Sequence, residues 1–76
     1  MTPKQIEDRL LAAFPGDLIQ VTDLTGTEDH YEVEVTSQKF HGLTRIQMHQ
    51  MVMAVFSPEL KTGELHALSI KTKKKE

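Results

Sequence analysis

A chain of 76 residues is one domain, and domains of this size bury only about 60 % of the surface they expose when unfolded, which excludes a large internal cavity. The absence of cysteine removes disulfides, thiolate nucleophiles and any self-contained cysteine-ligated zinc or iron–sulfur site. The net charge of −2 is uneven: the last six residues, KTKKKE, hold four lysines and one glutamate, against ten acids and five bases in the rest.

The opening MTPKQIEDRL has neither the apolar run of a secretory signal nor the arginine-rich, acid-poor character of a transit peptide. No segment reaches membrane-spanning length, so the expectation is a cytoplasmic protein without a membrane partner. The first helix is predicted from Thr2, an N-cap, with Pro3 in the first helical position and Gln5 completing a capping box, to the stop at Pro15-Gly16. Ile6, Leu10, Ala13 and Phe14 then share one face.

DLIQVTDL predicts a strand around Ile19 and Val21, and TGTED a polar turn about Gly26. HYEVEVTS alternates, with Tyr31, Val33 and Val35 on one side and Glu32, Glu34 and Thr36 on the other. One sheet face therefore lies under the helix and the other is wet.

After QKFHG, Thr44 can cap a second helix with Gln47 at its third position, and the helix runs to Phe56, before Ser57-Pro58. Its apolar residues, with His49 among them, cover an arc of about 220°, wider than a one-sided surface helix needs. We expect this helix to be sandwiched, with His49 a packing histidine; the alternative is a methionine-rich docking face. PELKTG leads into a last strand, ELHALSIKT, and the connection of 27 residues from the preceding strand suits a right-handed crossover between parallel strands. Residues 1–72 thus form a single α+β domain, helices on one face of a three-stranded mixed sheet, and 73–76 a frayed basic tail.

No nucleophile elbow, phosphate loop or paired metalloprotease histidines are present, and the acids fall on a wet strand face or a helix's first turns. The chain does not read as an enzyme. Its four histidines, His30, His41, His49 and His66, include no pair spaced for chelation from one helix. Parallel pairing of the second and third strands as neighbours would bring His30, at the entry of one, and His66, at the entry of the other, to the same end of the sheet. Alternation places His66 with Leu68 and Ile70 on the core face and His30 on the wet face, so joint ligation requires a bulge or turn at the rim. His41, before Gly42, is expected to be exposed.

The segments FHGLTRIQMHQMV and ELHALSIKT, through Phe40 and Gly42, His49 with Val52, and Leu65-His66-Ala67, resemble the BolA-like family, and GTEDHYEVEV resembles its variable loop leading into the second strand. The resemblance spans nearly the whole chain. It implies a class II KH-like fold, α-β-β-α-α-β, and a monothiol glutaredoxin as partner, with a [2Fe–2S] cluster shared between the glutaredoxin cysteine, glutathione and histidine of this chain, and no cofactor when the chain is alone. The ligand carried over is His66. The family's second ligand comes from the loop before the second strand, where His30, beside Asp29, is the nearest histidine. The implied role is cluster assembly or trafficking, iron regulation or the stress response, by a protein that is a monomer or weak homodimer when free. The rival is a KH-like nucleic-acid-binding transcriptional regulator; against it, the turn GLTR lacks the second glycine of a G-x-x-G loop, IQMHQM is uncharged, and the body is acidic.

Overall fold

The structure, a computed structural model, describes residues 1–24, 26, 30–65 and 67–75. Helix α1 spans Pro3–Ala13 and begins as its sequence requires: the Thr2 hydroxyl accepts from the Gln5 amide and the Gln5 side chain accepts from the Thr2 amide. Each half of that box satisfies an amide that the first helical turn leaves without a partner, and the cap contributes about 1 kcal/mol. Ile6, Leu10 and, at the C-cap, Phe14 are buried along one stripe at i, i+4 and i+8.

Strands β1 (Leu18–Asp23) and β2 (His30–Ser37) are antiparallel, in a register from Leu18 opposite Thr36 to Asp23 opposite Tyr31. The alternation of β2 becomes alternating burial: Tyr31, Val33, Val35 and Ser37 are enclosed, and the residues between them are half-buried. Tyr31 keeps its polar end satisfied by donating its hydroxyl to the Met1 carbonyl. A single 3₁₀ turn, Gln38–Phe40, then delivers Phe40 into the core, where its ring meets Phe14 edge-on with centroids 5.6 Å apart.

Helix α2 (Arg45–Val55) repeats the capping box with Thr44 and Gln47. A short helix, α3 (Ser57–Thr62), follows within the segment that local patterning reads only as a connection; the family resemblance implies it. Gly63, at φ +82°, ends it in the left-handed conformation that a side chain would strain. Strand β3 (Ala67–Lys74) pairs parallel to β2, from His30 opposite Ala67 to Ser37 opposite Lys74, so the sheet order is β1-β2-β3. The α+β architecture, helices against one face of a three-stranded mixed sheet, is as expected.

Two expectations are corrected. Helix α2 is not sandwiched: it buries Met48, Val52 and, at its C-cap, Phe56, while Ile46 is 69 % exposed, Met51 lies at the surface and His49 is exposed. Only one sheet face carries helices, so α2 has a core side and a solvent side. His49 sits about 100° round the helix from Met48, past the margin of the buried stripe. The core is filled instead by Tyr31, Phe14 and Phe40 from other elements.

The lysine tail is not a frayed end either. Lys73 and Lys74 belong to β3, and the Lys75 amide donates to the Ser37 carbonyl at 3.1 Å. Lysines can occupy this strand because the adjacent strand interleaves acids with them on the wet face: Lys71 lies 3.0 Å from Glu32 and Lys73 3.2 Å from Glu34. Such exposed pairs contribute at most about 1 kcal/mol each, but they remove the repulsion that would favour fraying.

Candidate metal-ligand site

His30 is the first residue of β2, and its register partner, Ala67, is the first residue of β3. The leading ends of the two parallel strands therefore meet at one rim of the sheet, as the crossover argument expects. His30 is half-buried and alternates with the enclosed Tyr31, which puts it on the wet face. Its backbone carbonyl accepts from the Leu24 amide at 2.9 Å, closing the antiparallel ladder beside it. Glu32, next on the same face, is paired with Lys71. His66 lies outside the described residues; of its neighbours, Leu65 is buried and Ala67 is exposed.

The remaining histidines are elsewhere. His41 is exposed, as expected, and its Nε2 lies 2.5 Å from the Lys75 carbonyl, at the trailing end of the parallel pair. His49 borders a cleft between α2 and β3 that is also lined by Arg45, Ile70, Lys71 and Thr72. Among the described residues, no group of three or more histidine, cysteine, aspartate or glutamate side chains converges to hold a metal ion. At the rim the described residues offer one imidazole. That single donor fits a site completed by other ligands.

Patterning missed one buried polar cluster. Glu59 of α3 is buried and accepts from the Arg9 guanidinium of α1, with its second oxygen 3.4 Å from Arg9 Nη2. Nη2 also donates to the Val55 carbonyl at the end of α2, and the guanidinium lies over the Phe56 ring, 5.4 Å from its centroid. The Arg9 hydrogen bond holds the Glu59 carboxyl below its ordinary value; partial desolvation works in the opposite direction and loses. The Leu65 amide donates to the Glu59 carbonyl at 3.2 Å, so this lock joins three helices and sets the lead-in to β3. No local motif marks a contact across 50 positions, and only the packed helices reveal it.

The fold and the rim histidine define a small α+β module with helices against one face of a three-stranded mixed sheet. More particularly, the chain belongs to the BolA-like family: the family model described as BolA-like protein matches residues 13–76. An uncharacterised protein of Rickettsia prowazekii is 38 % identical over 72 residues, covering 95 % of this chain and 92 % of the relative. The DNA-binding transcriptional regulator BolA of Escherichia coli is 32 % identical over 79 residues, covering 95 % of this chain and 74 % of its own length. Among solved structures, BolA1 from Arabidopsis thaliana superposes with a TM-score of 0.83 at 28 % identity, covering 95 % of this chain and 89 % of that one.

Proposed function

We propose that this chain is a cytoplasmic adaptor that pairs with a monothiol glutaredoxin and lends His66 and His30 to a [2Fe–2S] cluster held jointly with the glutaredoxin cysteine and glutathione, in cluster assembly, trafficking or iron regulation. The observation that carries the reading is the register of the parallel pair, in which His30 lies opposite the residue that follows His66 in the chain. Membership of the BolA-like family supports it. The absence of cysteine agrees: a chain that cannot hold a cluster with its own thiolates can still complete one held by a partner.

The cluster, when bound, supplies one-electron redox chemistry. This chain's part is to present imidazoles, and an imidazole ligates only when the ligating nitrogen carries no proton, so cluster retention falls as pH is lowered through the range where histidine titrates. The chain acts on cluster stability and transfer rather than on a substrate bond. Free, it is a monomer or weak homodimer. Among the described residues no helix is long and apolar enough to cross a membrane.

The test reconstitutes the cluster on a monothiol glutaredoxin with glutathione, adds this chain, and follows visible absorption and circular dichroism. Wild type shifts both spectra, His66→Ala abolishes the shift and His30→Ala alters it. An unchanged spectrum with wild type, or a wild-type shift with His66→Ala, defeats the reading.

A second reading, nucleic-acid binding, is favoured by the name of the Escherichia coli relative and by Arg45 and Lys71 at the α2–β3 cleft. Deleting Lys73–Glu76 is a poor probe of it, because that also removes sheet pairing. Arg45→Gln with Lys74→Gln leaves the ladder intact, and this reading expects salt-sensitive DNA binding that the double variant weakens.

A further inference from the structure

Strand β3 closes the sheet on one side, and the backbone of its eight residues is bonded to β2 alone: among the described residues, no backbone hydrogen bond reaches the opposite edge. Along that edge runs the cleft between α2 and β3, bordered by Arg45, His49, Ile70 and Lys71. Lysines on an edge strand normally serve to prevent self-pairing, and here they do so, since a second β3 would set lysine against lysine. The same charges select a partner of the opposite sign. Lys71 and Lys73 pair with Glu32 and Glu34 on the wet face, and Arg45 and Lys74, both exposed, add positive charge beside them on a chain whose net charge is −2. Lys71 and Lys73 are 64 % and 68 % exposed, so their existing ion pairs are weak and can be shared with an incoming carboxylate at little cost.

We propose that the open edge of β3 is a strand-addition site for an acidic, extended peptide segment of a partner protein. An open strand edge presents both N–H donors and C=O acceptors, and another peptide strand satisfies both, whereas a phosphodiester backbone carries acceptors only. Nucleobases would also lack a phenylalanine, tyrosine or tryptophan to stack on, because Phe14, Tyr31, Phe40 and Phe56 are all buried and there is no tryptophan. Ile70, in the cleft, offers an apolar contact to alternate side chains of the added strand.

The test titrates the ¹⁵N-labelled full chain with three probes: a blocked octapeptide alternating glutamate and valine, its counterpart alternating glutamate and proline, and a thymidine octanucleotide. The first peptide is expected to shift the amides of Ala67–Lys74 and slow their exchange. The proline peptide, of equal charge but without alternate amide donors, binds at least about tenfold more weakly, and Arg45→Glu with Lys74→Glu weakens the valine peptide by a similar factor while circular dichroism shows the fold retained. The inference is overturned if the valine peptide does not bind, if the proline peptide binds within about twofold of it, if the oligonucleotide binds the same edge more tightly, or if concentration-dependent self-association protects β3 without any peptide. No glutaredoxin or cluster enters this titration, so its outcome is separate from that of the ligand reading.

Discussion

The two ends of the parallel β2–β3 pair are built differently, although each carries a histidine. At the trailing end the His41 ring is committed to the Lys75 carbonyl, the Lys75 amide to the Ser37 carbonyl, and Lys75 Nζ lies 3.4 Å from the Gly16 carbonyl and 3.9 Å from Asp17. Lys39 ties the same region to α1 through the Ala13 carbonyl at 2.6 Å and over the Phe14 ring. At the leading end, His30 and Ala67 start their strands, the turn expected before β2 lies, Gly26 apart, outside the described residues, and what holds the lead-in to β3 is remote: the Arg9–Glu59 lock and the buried Leu65. A histidine at a strand end thus closes the sheet in one place, and in the other it is the ligand candidate of the proposed function.

Removing Lys73–Glu76 is the severest way to break the trailing end. It deletes the last ladder pairs and the Lys75 bonds, and should lower unfolding free energy by about 2–4 kcal/mol, read from urea denaturation. For a domain of this size that is a large share of its stability. A loss below about 0.5 kcal/mol would return these residues to the frayed tail that composition suggests.

Arg9→Ala attacks the other end from a distance. It leaves the buried Glu59 without its partner and should cost about 1–2 kcal/mol, less than a fully buried pair because the Arg9 side chain is 39 % exposed. The sign of its pH dependence follows from the lowered Glu59 value. A carboxyl depressed in the folded state contributes stability that is complete above its unfolded pKa, near 4.5, and is lost as pH falls through the folded value. Stability should therefore fall in acid below about pH 4.5, and Glu59→Gln should flatten that part of the profile; an unchanged acid limb in the variant would show that the lock is not coupled to folding.

The smallest effects give the sharpest contrast. His41→Ala should cost about 0.5–1 kcal/mol by leaving the Lys75 carbonyl to water, and should leave the spectrum of a glutaredoxin-bound cluster as wild type does. His30→Ala should instead alter that spectrum, read by visible circular dichroism. If both variants behave alike, the two ends do not differ in the way described.

Much of the fold was legible locally. Two capping boxes, the alternation of β2 and the length of the crossover follow from near neighbours, and the structure keeps them. The errors fell where neighbours carry no information about layers. The apolar arc of α2 counts residue types, but whether Ile46 and His49 are covered depends on how many layers the domain has. The lysine run looks solvated until Glu32 and Glu34 are known to lie beside it. Of the candidate site, the place of His30 at the rim was readable from topology, and His66 lies outside the described residues.

By itself, the sequence determined the two capped helices, the three strands and their order, the lack of thiol ligands and the BolA-like motifs, because caps, strand alternation and composition act over a few residues. The tertiary structure alone decided that His41 is tied to a carbonyl, that Glu59 is held by an arginine 50 positions away, and that, among the described residues, no further strand is bonded to the basic edge of β3 beside α2. Those outcomes depend on desolvation and on charges brought together across the chain, and both exist only once the helices have closed over the sheet.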